Sequence, residues 1–197
     1  MWVAMTSTHQ FAVDVLKTLM VRVRRAIMPN LGLSSTKQLL TLLSIAAVVF
    51  VFDQLTKLWI VNHFVYGASE AVTSFFNLVR VHNFGAAFSF LNNEGGWQRW
   101  GFTIFAAIVS LVILVWIARL STQQKLEGVA LALILGGALG NLYDRVTLGY
   151  VVDFLDFHWS GRHFPAFNVA DSGICLGAFI LILEGVFKRP STDDDKE

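Results

Sequence analysis

Cysteine occurs once in this chain, at Cys175, so no internal disulfide can form and no cysteine cluster is available for zinc or iron–sulfur chemistry. Charge is scarce as well. Asp, Glu, Lys and Arg make up 15% of the residues, against about 25% in soluble domains. A net charge of +1 gives no electrostatic ground for a nucleic-acid partner. His63, His82, His158 and His163 follow no zinc-ligand spacing, and there is neither a G-x-S-x-G elbow nor a Ser–His–Asp order. No repeat is evident, and no low-complexity tract apart from the acidic run Asp193–Asp195. What the chain has in abundance is apolar surface: 55% hydrophobic residues, with 6 Trp and 17 Phe. That balance is the signature of an integral membrane protein.

Four apolar runs approach the roughly 20 residues needed to cross a hydrocarbon core. They are Leu39–Ile60, Trp100–Leu120, Leu126–Leu142 and Phe167–Phe187. All four read as helices, because an open sheet leaves its backbone unsatisfied in lipid and the runs lack the alternation of a barrel. The fold class is therefore an all-α membrane protein with four transmembrane helices. The chain divides into an N-terminal extension (1–38), a membrane domain (39–187) and an acidic tail (188–197). Basic residues set the orientation. Lys17, Arg22, Arg24, Arg25, Lys37, Arg119, Lys125, Lys188, Arg189 and Lys196 all fall on the side of the termini, leaving Lys57, Arg80, Arg99, Arg145 and Arg162 elsewhere. The positive-inside rule then puts both termini in the cytoplasm and the 61–99 and 143–166 connections outside.

The extension does not read as a secretory signal, since the apolar run after it is too long and no small-x-small cleavage site follows. Phe11, Val15, Leu19, Val23 and Ile27 drift round one helical face opposite Lys17, Arg24 and Arg25. This is either a basic amphipathic helix on the inner leaflet or an unstructured extension. In the first outer connection, "FNLVRVHNFGAAFSF" (76–90) opens with strand-formers and turns through Asn83 and Gly85, which predicts a short strand or hairpin at the membrane surface. Asn93 to Gly96 reads as a loop.

The acids are placed non-randomly. With these spans, Asp53 and Lys57 lie near the outer end of the first helix, and Asn141, Asp144 and Arg145 at the outer mouth of the third. Asn168 and Asp171 start the fourth, and Asp153 and Asp156 fall in the connection before it. Intramembrane ionisable groups cost at least about 2.5–3.5 kcal/mol and usually face a cavity or one another. Asp53 with Lys57 is an i, i+4 pair, Asp144 beside Arg145 reads as a helix-end salt bridge, and Asp156 as a solvated loop acid. Cys175, one turn deeper than Asp171, reads as a small buried apolar residue. Asp153 and Asp171 stand apart. Asp153 sits in "YVVDFL", and Asp171 has no basic residue within seven positions. Two poorly solvated carboxyls without a cation can share one proton, as in aspartic proteases. An ion path, or a polar face that binds a partner protein, remains open on the residues alone.

The blocks "DQLTK" (53–57), "VHNFGAAFSF" (81–90), "GGALGNLYDR" (136–145), "VVDFLDFHW" (151–159) and "FNVADS" (167–172) resemble, in order and spacing, the type II (lipoprotein) signal peptidases of the bacterial inner membrane. The match covers about residues 39–187. The resemblance implies four helices with a small extracytoplasmic β-cradle from the 61–99 segment. It implies a catalytic pair at Asp153 and Asp171, with Asp53, Asn83, Gly85, Asn141, Arg145 and Asn168 lining or supporting the site. It implies an aspartic endopeptidase without metal or organic cofactor, acting as a monomer near the outer face of the membrane. Its substrate would be a prolipoprotein, cut before a lipobox cysteine that already carries diacylglycerol. Membrane lipid and globomycin-type inhibitors would be its other partners.

Overall fold

The structure, a computed structural model, describes residues 34–85 and 97–187, with the backbone alone at 97–99. The basic face of residues 11–27, the 86–96 segment with its expected loop, and the acidic tail lie outside the described residues. Among the described residues, four helices are long and apolar enough to cross a membrane. They are α1 (Thr36–His63), α2 (Trp97–Ala118), α3 (Lys125–Thr147) and α4 (Val169–Phe187). Ser35 starts α1, its side chain accepting a hydrogen bond from the Gln38 amide at 3.2 Å. Two helices run further than hydropathy indicates. α1 continues past Ile60 to His63, and α3 continues past Leu142 because Asp144 and Arg145 at its end point into the bundle and meet partners there.

The bundle is polar inside and apolar outside at one end. Phe52, Leu55 and Leu58 of α1 are exposed, whereas Asp53 and Lys57 of the same helix are buried. Lipid tails are as apolar as Leu, so nothing drives apolar side chains inward, while polar ones must find each other. Small residues bring the helices close. α3 is the central helix, and Gly136 lies against the Ala46 carbonyl of α1 while Gly137 lies against the Ala170 carbonyl of α4. A Cβ at Gly136 would stand 2.5 Å from the Ala46 oxygen. At the other end an apolar core of Leu42, Ile117, Leu120 and Leu131 joins α1, α2 and α3.

Above the helices lies a four-stranded antiparallel sheet in the order β1-β2-β3-β4. Its strands are β1 (Ser69–Thr73), β2 (Phe76–Asn83), β3 (Val151–Trp159) and β4 (Arg162–His163). β2 is the strand that the 76–90 pattern indicates, but its hairpin partner is β1, which precedes that segment, and the turn lies at 74–75 rather than at Asn83 and Gly85. The cradle is not confined to 61–99, however. Half of its strands come from the connection between α3 and α4, where the sequence pattern showed only a link carrying two acids. β3 escapes the alternation test because Val151 to Phe154 are buried in succession. Gly149, at φ 87°, takes the left-handed turn that ends α3 and feeds β3. Val152 and Phe154 then pack on Ile60 of α1 and on Phe64 just past its end, seating the sheet on the bundle.

Candidate active site

The floor of the site is an ion cluster between α1 and α3. The Lys57 ammonium reaches Asp53 at 2.8 Å, Asp144 at 2.9 Å and the Asn141 side-chain oxygen at 3.0 Å. Its three protons are thus all committed. Gln54 closes the cluster from the side, donating to Asp53 at 3.1 Å, to Asp144 at 3.0 Å and to the Gly140 carbonyl at 3.2 Å. The two acids also hold backbone: Asp53 accepts the Ala170 N–H of α4 at 2.8 Å on its other oxygen, and Asp144 accepts the Val152 N–H of β3 at 3.2 Å on the oxygen that faces Lys57. One buried cluster therefore ties α1, α3, α4 and β3 together.

Asp153 and Asp171 sit above that floor. Asp171 occupies the third position of α4 and forms a reciprocal cap with Asn168. The Asp171 N–H donates to Asn168 Oδ1 at 2.9 Å, and the Asn168 N–H donates to Asp171 Oδ2 at 3.3 Å. The Asn168 amide also donates to Asp153 Oδ1 at 2.6 Å, so one residue bonds both carboxyls, Asp153 through its side chain and Asp171 through its backbone N–H. Asn141 donates to Asp171 Oδ1 at 2.8 Å, and Asn83 to Asp153 Oδ2 at 3.0 Å. Gly85 donates its N–H to Asn83 Oδ1 at 3.0 Å, which fixes the direction of that amide. Arg145 donates to the Gly85 carbonyl at 2.9 Å and to the Asn141 carbonyl at 3.3 Å, and among the described residues its Nε has no partner. Burial, with Asp171 alongside, pushes Asp153 up to about 7.

β3 reaches this site through two local devices. The β2–β3 register shifts between Leu78 and Val81, so Asn77 faces Asp156 while Asn83 shares the opposite face with Asp153. Without that extra residue, Asn77 and Asn83, six apart on β2, would project to the same side. Backbone hydrogen bonds between Leu155 and Phe167, at 2.8 and 3.1 Å, then clamp the entry to α4 onto β3.

The structure brings Asp53, Asn83, Gly85, Asn141, Arg145, Asp153, Asn168 and Asp171 into one connected network, as their expected depth indicates. Three expectations change. Asp144 does not pair with Arg145. Adjacent helix residues point in different directions, and Asp144 meets Lys57 while Arg145 meets Gly85. Asp156 is not a solvated loop acid. It is buried on β3, bonded to Asn77 at 2.8 Å and to His163 at 2.9 Å. Burial works against its charge, yet these two bonds outweigh it and hold the carboxyl below its usual range. Cys175 is exposed on the outside of α4 rather than buried. Gln54 and Asn77 escaped the sequence reading, because a lone amide carries no signal until its carboxylate partner is placed opposite. Among the described residues no group of three or more His, Cys, Asp or Glu is arranged to hold a metal ion.

A four-helix membrane bundle with two amide-linked carboxyl groups at one end is the architecture of an integral membrane enzyme. The chain belongs to the signal peptidase II family: the family model for Signal peptidase (SPase) II matches residues 45–187. It is similar to the lipoprotein signal peptidase of Janthinobacterium sp. (strain Marseille), 54% identical over 151 residues, which cover 77% of this chain and 91% of that protein. It is also similar to the lipoprotein signal peptidase of Burkholderia vietnamiensis (strain G4 / LMG 22486), 56% identical over 142 residues, 72% of this chain and 85% of that protein. A solved structure of a bacterial membrane enzyme superposes with a TM-score of 0.66 at 34% identity, covering 80% of this chain and 93% of that one.

Proposed function

We propose that this chain is an aspartic endopeptidase that removes the signal peptide from diacylglyceryl-modified prolipoproteins, cutting just before the lipidated cysteine. The observation that carries the aspartic chemistry is the amide relay between the two carboxyls: Asn141 donates to Asp171, Asn168 donates to Asp153, and Asn168 also donates to the Asn141 oxygen. Carboxyls joined in this way, one of them with its pKa near 7, hold a single proton between them at neutral pH. Asp153 carries that proton and Asp171 is the base. Asp171 takes a proton from water, whose oxygen attacks the scissile carbonyl, while Asp153 donates its proton to the carbonyl oxygen. As the tetrahedral diol collapses, the C–N bond breaks, the proton on Asp171 passes to the leaving amine, and a diol hydroxyl returns a proton to Asp153 as it becomes the product carboxyl, so the pair is left singly protonated again. Asn83, Asn141 and Asn168 orient the two acids. Arg145, with its Nε unpartnered among the described residues, is placed to meet a substrate carbonyl or a lipid ester. No step calls for a metal or organic cofactor.

Purified protein should cleave a diacylglyceryl-modified lipobox peptide and be blocked by globomycin. Proton flux without cleavage would sink the reading in favour of a transporter. Because the reaction needs Asp153 protonated, kcat/KM should fall as pH rises through about 7. A rate that keeps climbing to pH 9 would exclude Asp153 as the acid.

The same reading places the chain in the bacterial inner membrane as a monomer, with both termini cytoplasmic and the carboxyl pair near the outer face. The distribution of basic residues supports that orientation. Reporters fused after Lys125 and Lys188 should report cytoplasm, and those near Glu70 and Gly161 the outside. A cytoplasmic signal at Gly161 would reverse it.

A further inference from the structure

Lys57 has no role in the chemistry described so far, yet it sits beneath it with all three of its protons bonded. An ammonium only donates, so the Asn141 atom facing it at 3.0 Å must be the amide oxygen. The Asn168 amide donates to that same oxygen at 3.2 Å. The Asn141 nitrogen is thereby turned toward Asp171, to which it donates at 2.8 Å. Lys57 thus reaches the pair through two hydrogen bonds in series. Its charge also works on Asp153, against the burial that raises that carboxyl. A buried ion cluster is a poor source of stability in itself, which leaves its position under the pair to be explained.

We propose that Lys57 is a positioning residue for catalysis: it locks the direction of the Asn141 amide and supplies the positive charge that sets the pH range in which the carboxyl pair is singly ionised. The charged groups around it are Asp53 on its own helix, Asp144 and Arg145 on α3, Asp153 on β3 and Asp171 on α4. Asp53 and Asp144 hold the ammonium in place and partly offset its field. Asp144 bonds to Lys57, Gln54 and the Val152 N–H but to neither member of the pair. The proposal rests on the reading of Asp153 and Asp171 as the working pair.

The test is the pH profile of kcat/KM for cleavage of a diacylglyceryl-modified lipobox peptide by full-length protein in detergent. The double variant Lys57→Gln/Asp144→Asn removes one charge of each sign, so the cluster keeps its net charge, and Gln still offers Asn141 a donor. Removing the cation nearest the pair makes a proton harder to lose. Both limbs of the profile should therefore move to higher pH by about 1 unit, the size expected for a charge roughly 4–6 Å away. Asp144→Asn alone leaves Lys57 less compensated and should move the profile the other way, to lower pH. A merely structural Lys57 predicts lower thermal stability with an unmoved profile, and that result overturns the proposal. Should the double variant not fold, Lys57→Gln/Asp53→Asn, which removes the same cation together with its other acid, decides by the same upward shift or its absence. Failure of the underlying reading has a different signature, since Asp153→Asn and Asp171→Asn would then still cleave.

Discussion

Asp153→Asn and Asp171→Asn should each reduce cleavage by about 10³-fold or more, and the double variant should be little worse than either single one. An amide holds hydrogen bonds but does not pass a proton on, so one change removes either the acid that polarises the carbonyl or the base that activates water. Because the two groups act on one bond in one step, losing the first leaves little for the second to contribute. The surroundings sharpen the test. Both oxygens of Asp153 already accept amide protons, from Asn168 and Asn83, so Asn at this position sets a donor against a donor. That mismatch costs about 1–3 kcal/mol of stability. Rates must therefore be normalised to folded protein, and substrate binding should persist. Near wild-type cleavage by both single variants would show that the acids serve only to hold the outer end of the bundle together.

The second large effect lies away from the chemistry, at Gly137. A Cβ there would run into the Ala170 carbonyl and stand 2.9 Å from the Ile174 side chain. Gly137→Val should therefore prise α4 away from α3, where backbone cannot yield as a flexible side chain would. The cost should reach about 3 kcal/mol, the upper range for overpacking. Catalysis should fail with the fold, because Ala170 also donates to Asp53 and begins the turn that carries Asp171. Gly185→Ala is the control. Nothing lies within 4 Å of its added carbon, and Ala is the better helix former, so stability should hold or rise by up to about 1 kcal/mol. Equal thermal stability in detergent for the Gly137→Val variant and the wild-type protein would contradict the close α3–α4 seam.

The spans were legible in the sequence because lipid demands long apolar runs, and the depth of the acids followed from the spans. Asp153 and Asp171 stood out because neither has a cation nearby in sequence. What the chain did not disclose is lateral pairing. Asp144 looked like a partner for its neighbour Arg145, whereas Lys57, 87 positions away, holds it. Asp156 looked solvated because Asn77 and the register shift that aligns it belong to a different strand. β3 was missed because a strand buried on both faces at its start has no period to detect. Cys175 was placed on the wrong side of its helix for a related reason. In a membrane both faces of a helix are apolar, so hydrophobicity does not say which one faces the protein.

The order in which the chain is made bears on when the enzyme can act. Asp53 lies in the first helix, Asp153 on a strand more than halfway along, and Asp171 at the start of the fourth helix. The sheet is clamped to that helix only once Phe167 meets Leu155. During synthesis the chain therefore passes through three membrane crossings with half a dyad and no protease. On the proposed reading, activity would switch on in a single event, when α4 enters the bilayer and its first turn closes on Asp53. A nascent chain stalled or clipped before that point would carry one acid of the proposed pair and cleave nothing.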